Sequence, residues 1–206
     1  MEKLLDVYSR PYNPLRPVVC MDESSKYLIS DTLVPIPMRP GQVRKTDYQY
    51  QRLGMCNIFM ANEPLAGFRT VKITKKKCKV DWAEFIREMV DNPYSGAELI
   101  TLVMDNLPTH TPGAFYKRYE PAEAKRILDR LDFVYTPKHG SWLNMAEIEL
   151  NVLINQCLKR KIDTIAKVKE EAKAWEKDRN AITRKINWHF RIDDARIKLK
   201  RLYPTY

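Results

Sequence analysis

Two aspartates stand where short apolar runs of the sequence end. Asp22 follows the run at residues 18–21, and Asp105 follows the run at residues 99–104. Such runs are typical of buried strands, and in open α/β sheets functional sites form at the carboxyl ends of strands. Neighbouring carboxylates repel each other unless a cation offsets their charge, and hard divalent ions prefer oxygen ligands. The pair therefore predicts a metal site, although aspartates also end strands simply as turn residues.

A third carboxylate is expected from a helix that begins near Asn144. Glu147 and Glu149 are the candidates. At about 100° per residue the two side chains point roughly 200° apart, so both cannot face one site. Each flanks the apolar stripe of the helix, and periodicity does not choose between them. Asn144 and Glu147 also have the spacing of a capping box, which is a structural reason for a glutamate at that position.

The charge of the chain favours a polyanionic partner. Its 36 Lys and Arg residues outnumber 26 Asp and Glu residues, which gives a net charge of +10. Basic side chains that neutralise phosphates release counterions, and this drives nucleic-acid binding. The four cysteines and three histidines are scattered, which argues against a zinc site. No signal peptide or membrane-spanning run occurs, so we expect a cytoplasmic, nucleoid-associated protein without a membrane partner.

The order of the predicted elements indicates the fold. Three strands come first, followed by helix, strand, helix, strand and helix. This order predicts an α/β protein with a mixed five-stranded sheet flanked by helices, as in the ribonuclease-H-like fold. Because Pro11, Pro14 and Pro17 exclude regular helix or central strand, we interpret residues 1–17 as an arm or linker. Residues 18–160 then form the core, and residues 161–206 a basic helical C-terminal extension packed on it.

Several basic residues are candidate DNA contacts. His110 either contacts phosphate, orients a metal ligand, or packs at the start of a helix. Lys138 and His139 lie in the loop before the Glu147 helix, where a phosphate clamp would be useful. A proline-rich loop at residues 35–46 carries three more candidates, Arg39, Arg44 and Lys45. Charge runs are usually solvated faces, so we expect only some of these residues to touch DNA.

The chain resembles bacterial insertion-sequence transposases of the mariner superfamily. Three stretches carry the resemblance, namely VVCMDE at residues 18–23, DNLPTH at residues 105–110 and KHGSWLNMAE at residues 138–147. Residues 57–67 and 193–199 add to it, so the similarity covers nearly the whole chain. The Leu-Asn-x-x-Glu motif of the family matches residues 143–147, which places the catalytic glutamate of the family on Glu147.

The resemblance implies an activity. Asp22, Asp105 and Glu147 would bind two Mg²⁺ or Mn²⁺ ions, and the enzyme would cleave DNA at transposon ends and transfer the strand into target DNA. The implied partners are transposon-end and target DNA and a second copy in a homodimer. Because such transposases carry helix-turn-helix modules before the core, and the chain begins almost directly on the predicted linker, a separate helix-turn-helix polypeptide is a further expected partner.

Two other interpretations stay open on the sequence. Another nuclease of the same fold would use similar acids, and a truncated or inactive remnant would bind DNA without cutting it. If the three carboxylates converge in one site, the chain is expected to be an enzyme; if they do not, the remnant is favoured.

Overall fold

The computed structural model describes residues 1–203 and contains one mixed sheet. Its strand order is β3 (Phe68–Thr74), β2 (Tyr50–Glu63), β1 (Val18–Asp31), β4 (Ile100–Met104) and β5 (Leu131–Tyr135). The first three strands pair antiparallel, whereas β4 pairs parallel with both β1 and β5. This arrangement confirms the predicted α/β fold with a mixed five-stranded, ribonuclease-H-like sheet.

Helices cover both faces of the sheet. On one face lie α2 (Lys79–Asp91), α3 (Gly113–Arg118) and α4 (Pro121–Leu128), and on the other lie α5 (Ala146–Leu153), α6 (Ile165–Ala181) and two shorter helices, α1 (Glu2–Ser9) and α7 (Ile192–Lys198). Side chains alternate along β1, so Val19 and Met21 pack with α2 while Cys20 and Leu28 pack on the opposite side. None of the helices in the described residues combines the length and apolarity needed to cross a membrane.

Strand β1 is longer than its apolar run suggests. Its pairing with β4 covers only residues 18–20, whereas its pairing with β2 continues to Asp31. The expectation that Asp22 ends a strand is therefore wrong, because the polar residues after it pair with β2 as an antiparallel hairpin. Asp22 instead lies just beyond the point where β1 and β4 part, and the gap between these strands leaves room for a site.

The N-terminal residues differ from the predicted arm. Residues Glu2–Ser9 form α1, and Leu4, Leu5 and Val7 on this helix are buried. The Tyr8 hydroxyl donates a hydrogen bond to the carbonyl oxygen of Leu143 at 2.8 Å. The interpretation of residues 1–17 as an arm is wrong for this helix, because the prolines all lie after it; residues 10–17 are irregular.

The connection between β1 and β2 protrudes from the sheet. We call residues 32–49 the β1–β2 arm; it is closed by backbone bridges between Ile36 and Lys45 and between Arg39 and Gln42. Several of its apolar side chains are exposed, including Val34 at 92% and Tyr48 at 86%. The predicted basic loop at residues 35–46 lies within this arm.

Beyond the predicted core, α6 packs against the sheet. Val168, Ala172 and Trp175 of α6 join the core cluster that contains Ile58 and Ile73 of the sheet. Helix α7 contributes Ala195 to the cluster around α1. The last three residues of the predicted C-terminal extension, 204–206, lie outside the described residues.

Candidate active site

Asp22, Asp105 and Glu147 line one open cleft of about 370 Å³. They come from three different elements, since Asp22 lies on β1, Asp105 follows β4 and Glu147 belongs to the first turn of α5. All three therefore line the same cleft, and their joint role in a metal site stays a prediction. A larger cavity of about 490 Å³ between α1 and residues 186–193 is lined by none of the three.

The two candidate glutamates of α5 have different surroundings. Glu149 is buried, and both of its oxygens accept hydrogen bonds from the guanidinium groups of Arg69 and Arg179 at 2.9 to 3.2 Å. Burial alone would raise the pKa of Glu149, but these hydrogen bonds and charges hold the pKa below its ordinary value. Glu149 is thus committed to a buried ion-pair cluster, and Glu147 is the glutamate that lines the cleft.

Asn144 joins the start of α5 to β1. Its side-chain amide donates to the carbonyl oxygen of Met21 at 2.8 Å, and its side-chain oxygen accepts from the backbone N–H of Ala146 at 3.2 Å. Helix α5 begins at Ala146 without a side-chain cap, so Asn144 and Glu147 do not form the capping box that their spacing allows. The structural explanation for Glu147 is therefore wrong, and Asn144 instead holds this helix start beside Asp22.

The charge of Asp22 is disfavoured where it lies. Burial raises its pKa to about 6, and the negative charges of Asp105, Glu147 and Glu23 add to the rise. The backbone N–H of Glu23, which donates to Asp22 Oδ1 at 2.7 Å, opposes this shift. Three carboxylates therefore repel the charge of Asp22 near the cleft, and a cation bound there would relieve this repulsion.

His110 contacts Asp105 directly. Its side chain is fully buried, and Nδ1 lies 2.7 Å from Asp105 Oδ1. Burial lowers the pKa of His110, but the hydrogen bonds and charges of Asp105 and Glu23 outweigh burial and raise it to about 9. The ring of His110 is shielded from solvent and stacks with Trp82 at a centroid distance of 5.5 Å, which favours the expected role of orienting a metal ligand over a contact with DNA.

The other predicted DNA contacts are all exposed. Lys138 and His139 lie in the loop after β5, and His139 has a positive φ of 60°. This loop leads into Ser141, which lines the cleft. The remaining three, Arg39, Arg44 and Lys45, lie on the β1–β2 arm. None of the five is among the residues that line the cleft.

The cleft also contains residues that the motifs did not single out for a role. Glu23, Ser24 and Asn151 line it alongside the acids. Glu23 could have been suspected because it directly follows Asp22 in a matching motif. No sequence signal marks Asn151, which faces the cleft because it lies one helical turn after Glu147.

The three acids are ligands of the type that divalent ions prefer, but their side chains are not arranged around a common metal position. Among residues 1–203, no three His, Cys, Asp or Glu side chains are already gathered closely enough to hold a metal ion. The three carboxylates of the cleft nevertheless offer the hard oxygen ligands that Mg²⁺ and Mn²⁺ take. The donor set therefore fits such ions, provided that the carboxylates draw together around them.

Residues 17–169 match the family model described as DDE superfamily endonuclease. The chain belongs to this family. Its residues 22, 105 and 147 all fall within the matched region. None of the curated proteins compared with the chain matches it.

Solved structures share the fold of this family member. The Mos1 mariner paired-end complex with Mn is 16% identical and superposes with a TM-score of 0.58, covering 89% of this chain and 54% of that one. The Mos1 transposase paired-end complex with the left transposon end is also 16% identical, with a TM-score of 0.57 and coverages of 85% and 52%. At this identity the likeness concerns the fold, and the chain spans about half the length of these proteins.

Proposed function

We propose that this endonuclease is the catalytic core of a DDE transposase, which cleaves DNA at transposon ends and transfers the strand into target DNA. The observation that carries the proposal is the placement of Asp22, Asp105 and Glu147 in one cleft. The mariner-type complexes that share the fold are bound to transposon ends, which supports DNA as the partner. The chain would act in the cytoplasm, associated with the nucleoid.

In this proposal the three acids hold two Mg²⁺ or Mn²⁺ ions, which would activate the attacking oxygen and stabilise the leaving oxygen of phosphoryl transfer. Asp22 is held by the backbone of Glu23, and Asp105 by His110. Glu147 stands on a helix start that Asn144 ties to β1. These contacts orient the Asp22 and Asp105 carboxylates and anchor the helix start that carries Glu147.

The basic residues around the cleft would position the DNA backbone. Lys138 and His139 are exposed in the loop that leads to the cleft, and Arg39, Arg44 and Lys45 are exposed on the β1–β2 arm. Contacts of this kind add affinity and orientation without sequence recognition. Recognition of the transposon ends is proposed to come from helix-turn-helix modules, which the family resemblance implies in addition to this core.

We also propose that the β1–β2 arm pairs two copies of the chain in a homodimer. Exposed apolar side chains grouped on a protrusion are unusual for a monomer and typical of an interface. Val34, Met38 and Val43 on the arm are each more than half exposed, at 92%, 75% and 79%. A second copy of the chain would bury them.

Nicking of supercoiled plasmid DNA in Mg²⁺ tests the activity. The chain should nick the plasmid, and chelation by EDTA should stop it. Asp22→Asn, Asp105→Asn and Glu147→Gln should each abolish nicking, whereas Glu120→Gln, an exposed acid outside the cleft, should not. Preference for an RNA–DNA hybrid over duplex DNA would favour a ribonuclease or related nuclease instead, and binding without cutting would indicate a remnant.

A further inference from the structure

We propose that Glu23 and His110 form a buried relay that fixes the Asp105 carboxylate in the cleft. In this relay His110 is a positioning residue for Asp105, and Glu23 is a positioning residue for His110. The inference rests on the proposed function, because Asp105 needs a fixed orientation only if it holds a metal ion.

The first link is the contact between the imidazole and Asp105. His110 Nδ1 lies 2.7 Å from Asp105 Oδ1, within the range of a strong hydrogen bond. The Asp105 side chain is 23% exposed, whereas that of His110 is completely buried. The imidazole therefore holds one carboxylate oxygen from the protein interior, while the rest of the carboxylate faces the cleft.

The second link is Glu23. Its Oε2 lies 3.5 Å from His110 Nε2, and its side chain is only 2% exposed. A carboxylate taken out of water is costly unless other groups compensate it. The compensation comes from His110 on one side and from Lys77, whose Nζ lies 2.5 Å from Glu23 Oε1, on the other. The lysine, glutamate, histidine and aspartate thus form a continuous chain of side-chain contacts in which basic and acidic groups alternate.

The surroundings of His110 keep its ring in one orientation. Trp82 stacks on the ring at an interplanar angle of 29°, and the backbone N–H of His110 donates to the carbonyl oxygen of Leu107 at 3.0 Å. Tyr135 donates its hydroxyl to the carbonyl oxygen of His110 at 3.2 Å. Because the ring cannot turn freely, the direction of its Nδ1 is set by the core and not by solvent.

The relay spans a gap in the sheet. Strands β1 and β4 pair only through residues 18–20 and 101–103, so no backbone hydrogen bond joins them at the level of Asp22 and Asp105. Glu23 follows Asp22 on β1, and its N–H donates to Asp22 Oδ1. The Glu23 and His110 side chains therefore connect the two strands where the backbone does not, and they set the distance between the two aspartates.

Loss of a group that orients a metal ligand typically lowers metal affinity by about 10- to 100-fold. We therefore expect His110→Ala to weaken Mn²⁺ binding, measured by calorimetry on the full chain, by about 10-fold or more. His110→Asn keeps a donor near the position of Nδ1 but cannot reach Glu23, so it should recover most of the affinity. Glu23→Gln should weaken binding in the parent chain but not in the His110→Ala background, because Glu23 acts through His110.

Two controls separate positioning from folding. Thermal melting of each variant reports whether it folds. The double variant His110→Ala/Glu23→Gln removes the buried charge of Glu23, which the single alanine variant leaves with Lys77 as its remaining partner. Glu63→Gln removes a buried carboxylate of β2 outside the cleft and should leave Mn²⁺ affinity unchanged.

Two results would overturn the relay while leaving the proposed function intact. The first is Mn²⁺ affinity equal to that of the parent chain in folded His110→Ala and Glu23→Gln proteins. The second is His110→Asn binding no better than His110→Ala. If the parent chain itself binds no Mn²⁺ and does not nick DNA, the proposed function fails and the relay fails with it.

Discussion

Glu147 and Glu149 leave helix α5 in different directions, although only one residue separates them. Glu147 lines the cleft with Asp22 and Asp105, whereas both oxygens of Glu149 are bound by Arg69 and Arg179. Arg69 is itself fully buried and also donates to the backbone carbonyls of Gly67 and Arg184. One glutamate is therefore available to a ligand, and the other fastens α5 to β3 and α6.

The two glutamates should respond oppositely to substitution. Glu147→Gln should abolish Mg²⁺-dependent nicking with little change in stability. Glu149→Gln should lower the free energy of unfolding by about 3 kcal/mol, because it leaves a buried guanidinium without a full counter-charge. It should still nick plasmid DNA at temperatures where it is folded. Urea unfolding and nicking assays on both variants check this, and a folded but inactive Glu149→Gln protein would contradict the assignment.

Ionised Asp22 should cost stability when no metal is bound. Its folded pKa of about 6 lies above the ordinary value of 3.8 for an aspartate, so the stability contributed by the protonated side chain is fully present below pH 3.8 and is lost as pH rises through about 6. Asp22→Asn should therefore stabilise the metal-free protein at neutral pH by about 1–3 kcal/mol, and its advantage should vanish near pH 4.

Urea unfolding in EDTA at both pH values measures this difference. Excess Mn²⁺ should then stabilise the parent chain more than Asp22→Asn, because only the parent chain keeps the full set of carboxylates. Equal stability of the two proteins at neutral pH would show that the carboxylates do not repel each other as described.

The β1–β2 arm should control self-association. Changing Val34, Met38 and Val43 together to serine should convert a dimer to a monomer in sedimentation experiments, because each is exposed in the single chain. The fold of the single chain should be unaffected, because none of the three side chains is buried in its core. Serine at Ile182 and Ile197, which are also exposed but lie in the C-terminal part of the chain, is the matched control. An arm variant that sediments as the parent chain does would exclude the arm as the interface.

The basic residues of the arm should determine how steeply DNA binding depends on salt. Each phosphate contact contributes about 0.9 to the slope of log affinity against log salt, so alanine at Arg39, Arg44 and Lys45 should reduce the slope by up to about 2.7. Alanine at Lys169, Lys173 and Lys177 removes the same charge from the exposed face of α6 and should change the slope less. Fluorescence anisotropy with labelled DNA at several salt concentrations measures this slope for both triple variants and for the parent chain.

The sheet could be predicted because β1 begins with a short apolar run and β4 is apolar throughout. Residues 18–21 and 99–104 stand out as buried runs, and the order of elements then indicates the topology. The remainder of β1 could not be predicted, because residues such as Ser25 and Tyr27 are exposed and carry no apolar pattern. Helix α1 was hidden by the prolines that follow it, and α3 is only six residues long, too short to show a period.

The site was predictable only as far as local sequence could decide. Asp22 and Asp105 follow apolar runs, but helical periodicity does not choose between Glu147 and Glu149, and only the family motif favours Glu147. The contact that occupies Glu149 comes from Arg69, which is 80 positions away in the chain. The sequence leaves three roles open for His110, because nothing in its neighbourhood reveals that Trp82 covers its ring. Contacts between distant residues, and burial caused by them, are the information that a single sequence lacks.

Because Asp22 lies within a strand, the site depends on the number of residues that precede Asp22 on β1. Successive side chains on a strand face opposite sides, so inserting or deleting one residue between Val18 and Asp22 would turn this acid toward α2 and bring its neighbour to the cleft. Asp105 stands beyond the end of β4, where a loop can absorb a change of length. Length changes near the first acid should therefore abolish activity even when every residue of the cleft is retained, whereas the loop after β4 should tolerate a length change that keeps the contact between Asp105 and His110.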